Sequence, residues 1–290
     1  MNLPVVVGVD GSEPSLRAVD WAADEAALRG APLRLVYASL WERYEGDALA
    51  EDLGKDSGQV IAEDIVQAAG QRARLRQKDV EISTDVVPEE PEYALVRSGR
   101  AAAVLVLGTR GRSGIVEMLL GSVSLSVAGR ADCPVIVLRG SHDNQVRAGK
   151  QGRVVVGVGE KGTSSAALRF AAEEARLRDA TLEVVRAWRC PAHETTDHPL
   201  LAGEPARLHE RHAAEVLDEA LKAVPADVES SRRTMEGPTR RVLLAASQGA
   251  DLLVVGARRG SGHLGLQMGR VAHGVLHHAA CAVAVVPERT

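Results

Sequence analysis

The sequence predicts an α/β fold made of two tandem domains, each a parallel sheet covered by helices on both faces. Three observations support this prediction. Short apolar runs of strand length alternate with longer amphipathic segments of helix length along the chain. The pattern of the first half occurs again in the second half. The length of 290 residues fits two domains of ordinary size better than one.

The internal repeat keeps its register over most of the chain. In its first half the offset is 149 residues, and after one net deletion it is 148. The matching segments are 5–9 with 154–158, 22–26 with 171–175, and 105–108 with 253–256. Such repetition indicates a tandem duplication. We therefore expect domain 1 over residues 1–140 and domain 2 over residues 152–290, with a polar, glycine-containing linker at 139–152.

Each copy is expected to contain five strands that alternate with four helices. Because the strands are apolar and the helices amphipathic, the sheet should be parallel and the crossovers right-handed. In the first copy the strands are expected near 4–9, 33–38, 80–86, 103–107 and 134–138. The helices are expected near 15–29, 57–77, 91–101 and 122–129.

Composition excludes several classes of function. The formal net charge is -4 and aromatic residues make up 2% of the chain, which disfavours nucleic-acid binding. No apolar run is long enough to span a bilayer, and the first residues lead directly into a strand without a signal peptide. The cysteines Cys133, Cys190 and Cys281 form no CxxC pair, which favours a reducing cytoplasm over a disulfide framework.

The stretch 104–123 has the features of an anion site. An apolar strand at 104–107 is followed by Gly108, Gly111 and Gly121, and then by a helix for which Ser122 is the expected N-cap. Glycines let the backbone approach a ligand closely, and the N–H groups and positive dipole end of a helix attract phosphate. Further charge and donors could come from the side chains of Arg110, Arg112, Ser122 and Ser124.

The spacing Gly-x2-Gly-x9-Gly-Ser resembles the ATP-binding signature of the universal stress protein family. Residues 5–12, VVVGVDGS, resemble the first strand of that family, which ends in an aspartate beside the nucleotide. Because the pattern occurs twice, the resemblance covers almost the whole chain. It implies two tandem Rossmann-like domains of the adenine nucleotide alpha hydrolase type, each with five parallel strands in the order 3-2-1-4-5. Ligands of such sheets bind at the switch point between strands 1 and 4.

The resemblance also implies which residues of domain 1 contact ATP. They are Val9, Asp10, Ala38, Gly108, Gly111, Arg112, Gly121, Ser122, Val123 and Ser124. Asp10 would contact the nucleoside or help hold Mg²⁺, although it could also be a simple cap for a helix beginning at 15–17. The backbone of Ala38 would face adenine, while its side chain could equally belong to the core. Arg112 is either a solvated loop charge or a phosphate contact.

The second copy departs from this pattern. Ala187, Gly256 and Gly269 are retained and would form a weaker second site. Three other positions differ between the copies. Gly159 stands at the position of Asp10, Arg259 at that of Gly111, and Arg270 at that of Ser122. An arginine at a helix N-terminus could pair with a phosphate or fill the space that the phosphate needs. We expect stronger ATP occupancy in domain 1.

Other motifs carry less weight. The GxGxxG at 157–162 matches the dinucleotide-binding fingerprint, but it aligns with residues 8–13 of the first copy. The strand that follows it also lacks the acidic residue that would bind a ribose. One cysteine and four histidines after the second strand of this copy could bind a transition metal or simply be exposed. They are Cys190, His193, His198, His209 and His212. The arginines at 232, 233, 240 and 241 are expected on a solvated face, and His273, His277 and His278 on the last helix.

Three functional hypotheses remain open. The first is a cytoplasmic universal stress protein that binds ATP with Mg²⁺ and acts as a sensor or regulator of a stress response. The second is an enzyme, either a slow ATPase or a nucleotidyl-transfer relative, although no positioned catalytic group stands out. The third is an interaction module that binds no nucleotide. In each case the apolar fifth strands, 134–138 and 282–286, are expected to pair antiparallel within the chain as a pseudo-dimer. A homodimer of whole chains rests on family resemblance alone.

Overall fold

The fold was obtained as a computed structural model, which describes residues 2–40, 57–109, 120–138, 151–159, 166–191, 204–258 and 268–288. The described residues form two compact units, one ending at 138 and the other beginning at 151. Each unit contains one copy of the repeat, so the prediction of two tandem domains is confirmed. The expected linker, except for its last two residues, lies outside the described residues.

Domain 1 is a five-stranded sheet with the order β3-β2-β1-β4-β5. The strands are β1 (Val5–Gly8), β2 (Leu33–Ala38), β3 (Ile82–Val87), β4 (Val104–Leu107) and β5 (Val135–Val137). The helices are α1 (Glu13–Arg29), α2 (Ser57–Arg76), α3 (Pro91–Gly99) and α4 (Ser122–Arg130). All neighbouring strands are parallel, which confirms the strand order and the direction predicted for each copy.

Domain 2 repeats this topology with the order β10-β9-β6-β7-β8. Its strands are β6 (Arg153–Gly157), β7 (Thr181–Trp188), β8 (Ser230–Glu236), β9 (Leu252–Arg258) and β10 (Ala282–Glu288). Its helices are α5 (Ala166–Arg178), α6 (Glu204–Leu221), α7 (Thr239–Ala246) and α8 (Arg270–His278). The neighbouring strands are again parallel.

The centre of each sheet is a pair of apolar strands. In domain 1, β1 and β4 pair in register from Val5 opposite Val104 to Val7 opposite Val106, and these side chains are fully buried. Continuous β-branched and leucine runs suit a strand that helices cover on both faces. The carboxyl ends of the two strands therefore meet at one edge of the sheet.

Helix α1 begins two residues earlier than the sequence indicated. Ser12 is its N-cap, and the Ser12 Oγ accepts a hydrogen bond from the Ser15 N–H at 3.3 Å. Gly30 ends the helix in the left-handed region, with φ 55°. The interpretation of Asp10 as the cap of this helix is therefore wrong, because Ser12 occupies that position.

Both first helices contain a buried ion pair. In α1 the Arg29 Nε lies 2.5 Å from the Glu25 Oε1, and in α5 the Arg178 guanidinium lies 2.9 Å from the Glu174 carboxylate. The glutamate side chains are 0% exposed in both helices. The spacing of four residues places each partner one turn from the other. The two copies thus contain the same charged pair at equivalent positions.

The two equivalent cysteines lie in the cores. Cys133 and Cys281 are buried and form no disulfide, while Cys190 is half-buried. Burial raises the pKa of the Cys133 and Cys281 thiols from 9.0 to about 12, because the thiolate would lose its hydration. Both thiols should be unreactive in the folded protein.

We expect the free energy of unfolding to fall as the pH rises from 9 toward 12. In this window the Cys133 and Cys281 thiols ionise in the unfolded chain but keep their protons in the folded one. Each thiol contributes a slope of up to about 1.4 kcal/mol per pH unit. Urea unfolding across this range, compared with a Cys133→Ala, Cys281→Ala variant, measures the effect. An equal slope in both proteins would contradict it.

Candidate functional site

A cavity of about 390 Å³ lies at the carboxyl ends of β1 and β4. Its lining includes eight of the predicted site residues: Val9, Asp10, Ala38, Gly108, Gly121, Ser122, Val123 and Ser124. The other two residues of the predicted set, Gly111 and Arg112, lie outside the described residues. The two sequence motifs, separated by about a hundred residues, therefore line one cavity.

The strand order creates this cavity. After β1 the chain passes to β2 on one side, whereas after β4 it passes to β5 on the other side. The connections therefore diverge above neighbouring strands and leave a crevice between them. The loop after β1 and the start of α4 form two of its walls.

The start of α4 presents backbone N–H groups at the cavity. Gly121 is its N-cap, with φ -67° and ψ 150°, and this residue has no side chain with which to cap the helix. The prediction that Ser122 is the N-cap is therefore wrong, because the chain turns one residue earlier. Gly121 donates its N–H to the Thr109 carbonyl at 2.5 Å, and its own carbonyl accepts from the Leu125 N–H. The following N–H groups of the first turn have no carbonyl acceptor within the helix, so they can donate hydrogen bonds to an anion at the positive end of the helix dipole.

Gly108 is held between α1 and α4. The Ser124 Oγ donates to the Gly108 carbonyl at 2.7 Å, which ties the first turn of α4 to the end of β4. A Cβ at position 108 would lie 2.6 Å from the Pro14 carbonyl oxygen. A glycine is therefore required here by packing alone, whether or not a ligand approaches.

Hydrogen bonds fix the loop that contains Asp10. The Asp10 Oδ1 accepts from the Ser12 N–H at 3.0 Å and from the Ser12 Oγ at 2.6 Å. The Asp10 N–H donates to the Ser15 Oγ at 3.3 Å. Gly11, with φ 79°, allows the turn. Both side-chain bonds use one carboxylate oxygen, which leaves the Asp10 Oδ2 with no hydrogen bond among the described residues.

Sequence reasoning missed several residues of this cavity. Ser15 reaches it from α1, Val36 from β2, and Pro91 and Leu95 from α3. Ser12-x-x-Ser15 is a local capping pattern that could have been recognised. The contribution of α3 depends on the topology, since a helix that follows β3 must begin near the same edge of the sheet.

The equivalent region of domain 2 differs in charge. Gly269 is the N-cap of α8, with φ -61° and ψ 152°, so the backbone repeats that of Gly121. Arg270 then begins the helix, and at Gly159, where domain 1 has its aspartate, a Cβ would have no neighbouring atom of the described residues within 4 Å. Arg259 lies outside the described residues.

Domain 2 also places an internal carboxylate beside Gly256. The Glu288 side chain, from the end of β10, accepts the N–H groups of Ala166 and Ala167 at 3.0 and 3.1 Å. A Cβ at position 256 would lie 2.9 Å from the Glu288 Oε1. Sequence analysis missed Glu288 because the equivalent position in the first copy is a glycine, Gly140.

The remaining candidates form no metal centre in the described part of the chain. No group of three or more His, Cys, Asp or Glu side chains within the described ranges is placed to hold a metal ion. His193 and His198 lie outside those ranges. His273 and His277 lie on α8 as predicted, with ring centroids 4.5 Å apart. Among the described helices, none has both the length and the apolar character needed to cross a membrane.

Comparison with known proteins identifies the family. The model of the universal stress protein family matches residues 1–139 and 151–287. Universal stress protein Rv2005c of Mycobacterium tuberculosis is 32% identical over 98% of this chain and 97% of its own length. A universal stress protein of Archaeoglobus fulgidus has the same fold, with a TM-score of 0.71 and 17% identity over 99% of both chains. A universal stress protein solved in complex with cAMP matches 48% of this chain at 33% identity, with a TM-score of 0.38. By the family match in both halves and the full-length similarity to its relatives, the chain belongs to the universal stress protein family.

Proposed function

We propose that domain 1 binds ATP, together with Mg²⁺, and that the chain is a cytoplasmic sensor or regulator of a stress response. The observation that carries this proposal is the cavity at the switch point between β1 and β4. Among its described lining residues, this cavity combines the carboxylate of Asp10 with the start of α4, whose N-cap Gly121 has no side chain. These are the groups that the ribose and the phosphates of a nucleotide require.

The two ends of the cavity differ in polarity. Val36, Ala38, Pro91 and Leu95 supply apolar surface, which suits an adenine ring. The first turn of α4 supplies N–H donors and the positive end of the helix dipole, which suit phosphate oxygens. The Asp10 Oδ2 can accept a hydrogen bond from a ribose hydroxyl or bind Mg²⁺ through water. Mg²⁺ would neutralise part of the phosphate charge.

The lining favours binding over turnover. Phosphoryl transfer requires a positioned nucleophile and groups that stabilise the charge of the transition state. Among the described lining residues, Asp10 is the only carboxylate, and histidine, lysine and arginine are absent. ATP binding would then act by shifting populations between conformations of different affinity. Phosphate release by purified protein at a rate above that of an Asp10→Asn variant would instead support the slow ATPase.

We expect Asp10→Asn to weaken ATP binding by about tenfold or more, since one charge-assisted hydrogen bond contributes about 1.5–3 kcal/mol. Gly121→Ala should also weaken ATP binding, because it adds a methyl group to the lining of the cavity at the start of α4. Asparagine keeps the oxygen that accepts from Ser12, so the loop should remain folded. The backbone of Gly121 lies in a region open to alanine, so this change adds a methyl group without strain. Isothermal titration calorimetry with Mg·ATP measures both effects.

Gly269→Ala is the matched control. It makes the same change at the N-cap of α8, where the backbone has the same conformation and a Cβ has no neighbouring atom of the described residues within 4 Å. Because domain 2 is expected to be the weaker site, this variant should keep the wild-type affinity. Equal losses in Gly121→Ala and Gly269→Ala would show two equivalent sites, and wild-type affinity in both domain 1 variants would rule out the proposed site.

The identity of the ligand requires a separate experiment. Mass spectrometry of small molecules released from freshly purified, denatured protein identifies a nucleotide that copurifies. ATP is expected in the wild type and should be depleted in Gly121→Ala. A different adenine nucleotide would revise the ligand but keep the site, whereas wild-type protein that neither retains nor binds any nucleotide would favour the interaction module.

The fifth strands are the basis of a second proposal, an intrachain pseudo-dimer. β5 ends the sheet order of domain 1 and β10 ends that of domain 2. An apolar strand in such a position is an aggregation hazard unless another segment covers it. We expect Val137→Cys and Val285→Cys to crosslink within one chain in a background without the native cysteines. Non-reducing electrophoresis measures this, and crosslinks formed only between chains would contradict the intrachain arrangement.

A further inference from the structure

The last part of domain 2 is unusually poor in acidic residues. Between residues 237 and 287 the sequence has five arginines and four histidines but one acidic residue, Asp251. The Asp251 carboxylate accepts the N–H groups of Gln151 and Arg153, at 2.9 and 3.1 Å, at the start of β6. Because the whole chain has a formal net charge of -4, this segment is a local exception to the charge balance of the protein.

Basic residues occupy the outward side of α8, the last helix of this segment. Ala272, Val275 and Leu276 are buried, so the opposite side of the helix faces outward. Apart from Gly274, that side contains only arginine and histidine: Arg270, His273, His277 and His278. Arg270, Gly274 and His278 are each four residues apart and therefore form one row, about 12 Å long, along the helix.

Arg240, from the neighbouring helix α7, lies across the middle of this row. A Cβ at position 274 would collide with the Arg240 Cδ, so the aliphatic stem of the arginine packs directly on the glycine. This packing restricts the rotamers of Arg240, and less conformational entropy is then lost when its guanidinium binds a ligand. Arg241 follows on α7 and is also exposed.

The arginines of this surface have no partner, in contrast to others that were expected on a solvated face. Arg232 and Arg233 each pair with a carboxylate. In the part of the chain that the structure describes, Arg240, Arg241 and Arg270 make neither an ion pair nor a hydrogen bond. Three guanidinium groups thus lie on one surface without a carboxylate to offset their charge.

Domain 1 has a different arrangement at the equivalent place. There Glu92, at the start of α3, lies 4.0 Å from Arg130, at the end of α4. The equivalents in domain 2 are Arg240 and His278, so a guanidinium stands where the first copy has its carboxylate. The fold therefore does not require the cationic surface, which is a property of domain 2.

We propose that the surface formed by α7 and α8 binds an acidic segment of a partner protein. A guanidinium binds a carboxylate through two parallel hydrogen bonds, but each exposed ion pair contributes little alone, so the ligand must carry several carboxylates. Nucleic acid fits less well, because α7 and α8 have no aromatic ring other than imidazole on which bases could stack, and the net charge of the chain repels a long polyanion.

The test is fluorescence anisotropy of a labelled hexaglutamate peptide titrated with the full chain, with a hexaglutamine peptide of the same label as reference. The variant is Arg240→Gln combined with Arg241→Gln. Glutamine keeps the Cγ and Cδ that pack on Gly274, and both positions are exposed, so the fold should persist, as circular dichroism can verify. Wild-type protein should prefer hexaglutamate, and the double variant should bind it at least about threefold more weakly.

Arg74→Gln combined with Arg211→Gln is the matched control. It removes the same charge from exposed positions on α2 and α6 and should leave the affinity for hexaglutamate within about twofold. The proposal is overturned if wild-type protein does not prefer hexaglutamate, or if the variant and the control do not differ. It is also overturned if oligothymidylate binds this surface more tightly than hexaglutamate. Self-association that only the Arg240 and Arg241 variant abolishes, measured by sedimentation velocity, would instead assign the surface to a second copy of the chain.

Discussion

Replacement of Glu25 by alanine is expected to lower the free energy of unfolding of domain 1 by about 3–5 kcal/mol. The Glu25 carboxylate is fully buried and lies 2.5 Å from the Arg29 Nε, and the arginine side chain is only 9% exposed. The change removes this carboxylate and leaves the guanidinium charge in a poorly hydrated place. Removing one partner of a buried pair costs more than the pair itself contributes, because the other charge stays buried without that partner's attraction. Urea unfolding followed by circular dichroism measures the loss.

Three further variants test the cause of this destabilisation. Glu25→Leu combined with Arg29→Leu removes both charges and should recover most of the stability. Glu174→Ala should destabilise domain 2 in the same way, since its pair with Arg178 has the same geometry. Glu219→Ala breaks an exposed pair with Lys222 and should leave the unfolding midpoint unchanged. A loss below about 1 kcal/mol in Glu25→Ala would show that the pair is not desolvated in solution.

Gly108→Ala is expected to destabilise domain 1 by about 1–3 kcal/mol and to remove ATP binding as well. The new methyl group would lie 2.6 Å from the Pro14 carbonyl oxygen and 2.7 Å from its carbonyl carbon. These are backbone atoms in the first turn of α1, so they can move only if the helix start moves. Such a shift displaces the loop that holds Asp10, and therefore both sides of the cavity change. Thermal unfolding and calorimetry with Mg·ATP measure the two effects.

Gly256→Ala makes the same change in domain 2 and is its control. The nearest atom there is a carboxylate oxygen of Glu288, at 2.9 Å, which belongs to the end of a flexible side chain. This side chain can rotate away, although it would then lose its bonds to Ala166 and Ala167. We therefore expect a smaller loss of stability than in Gly108→Ala. Equal losses in the two variants would mean that the backbone contact with Pro14 does not set the cost.

Much of the fold could be predicted because the dominant pattern is local. Apolar runs such as 104–107 and helices of four to five turns follow from periodicity in the sequence. The duplication then fixes the number of domains without any structural knowledge. The ends of elements were predicted less well: α1 begins at Ser12-Glu13 rather than at 15, and α4 has Gly121 rather than Ser122 as its N-cap. Several side chains can cap a helix, and the choice depends on how the preceding loop turns.

The site was predictable where it depends on glycine spacing and on Asp10, and unpredictable where it depends on distant contacts. Glu288 reaches Ala166 across more than a hundred residues of sequence, and no local pattern indicates this bond. Arg186 and His209 were separate features in the sequence, a strand residue and a member of a loose histidine group. Only the packing of α6 on β7 places them around one cavity of domain 2.

The buried ion pairs also bear on how the two copies of the repeat arose. Glu25 and Arg29 occupy the same positions in their copy as Glu174 and Arg178 in theirs, as expected if a single-domain ancestor already had this pair before duplication. The site loops also occur in both copies, yet the position that aligns with Asp10 is occupied by Gly159 in the second copy. The two copies thus have the same buried charged pair, whereas they differ at positions that we propose to contact a nucleotide in domain 1.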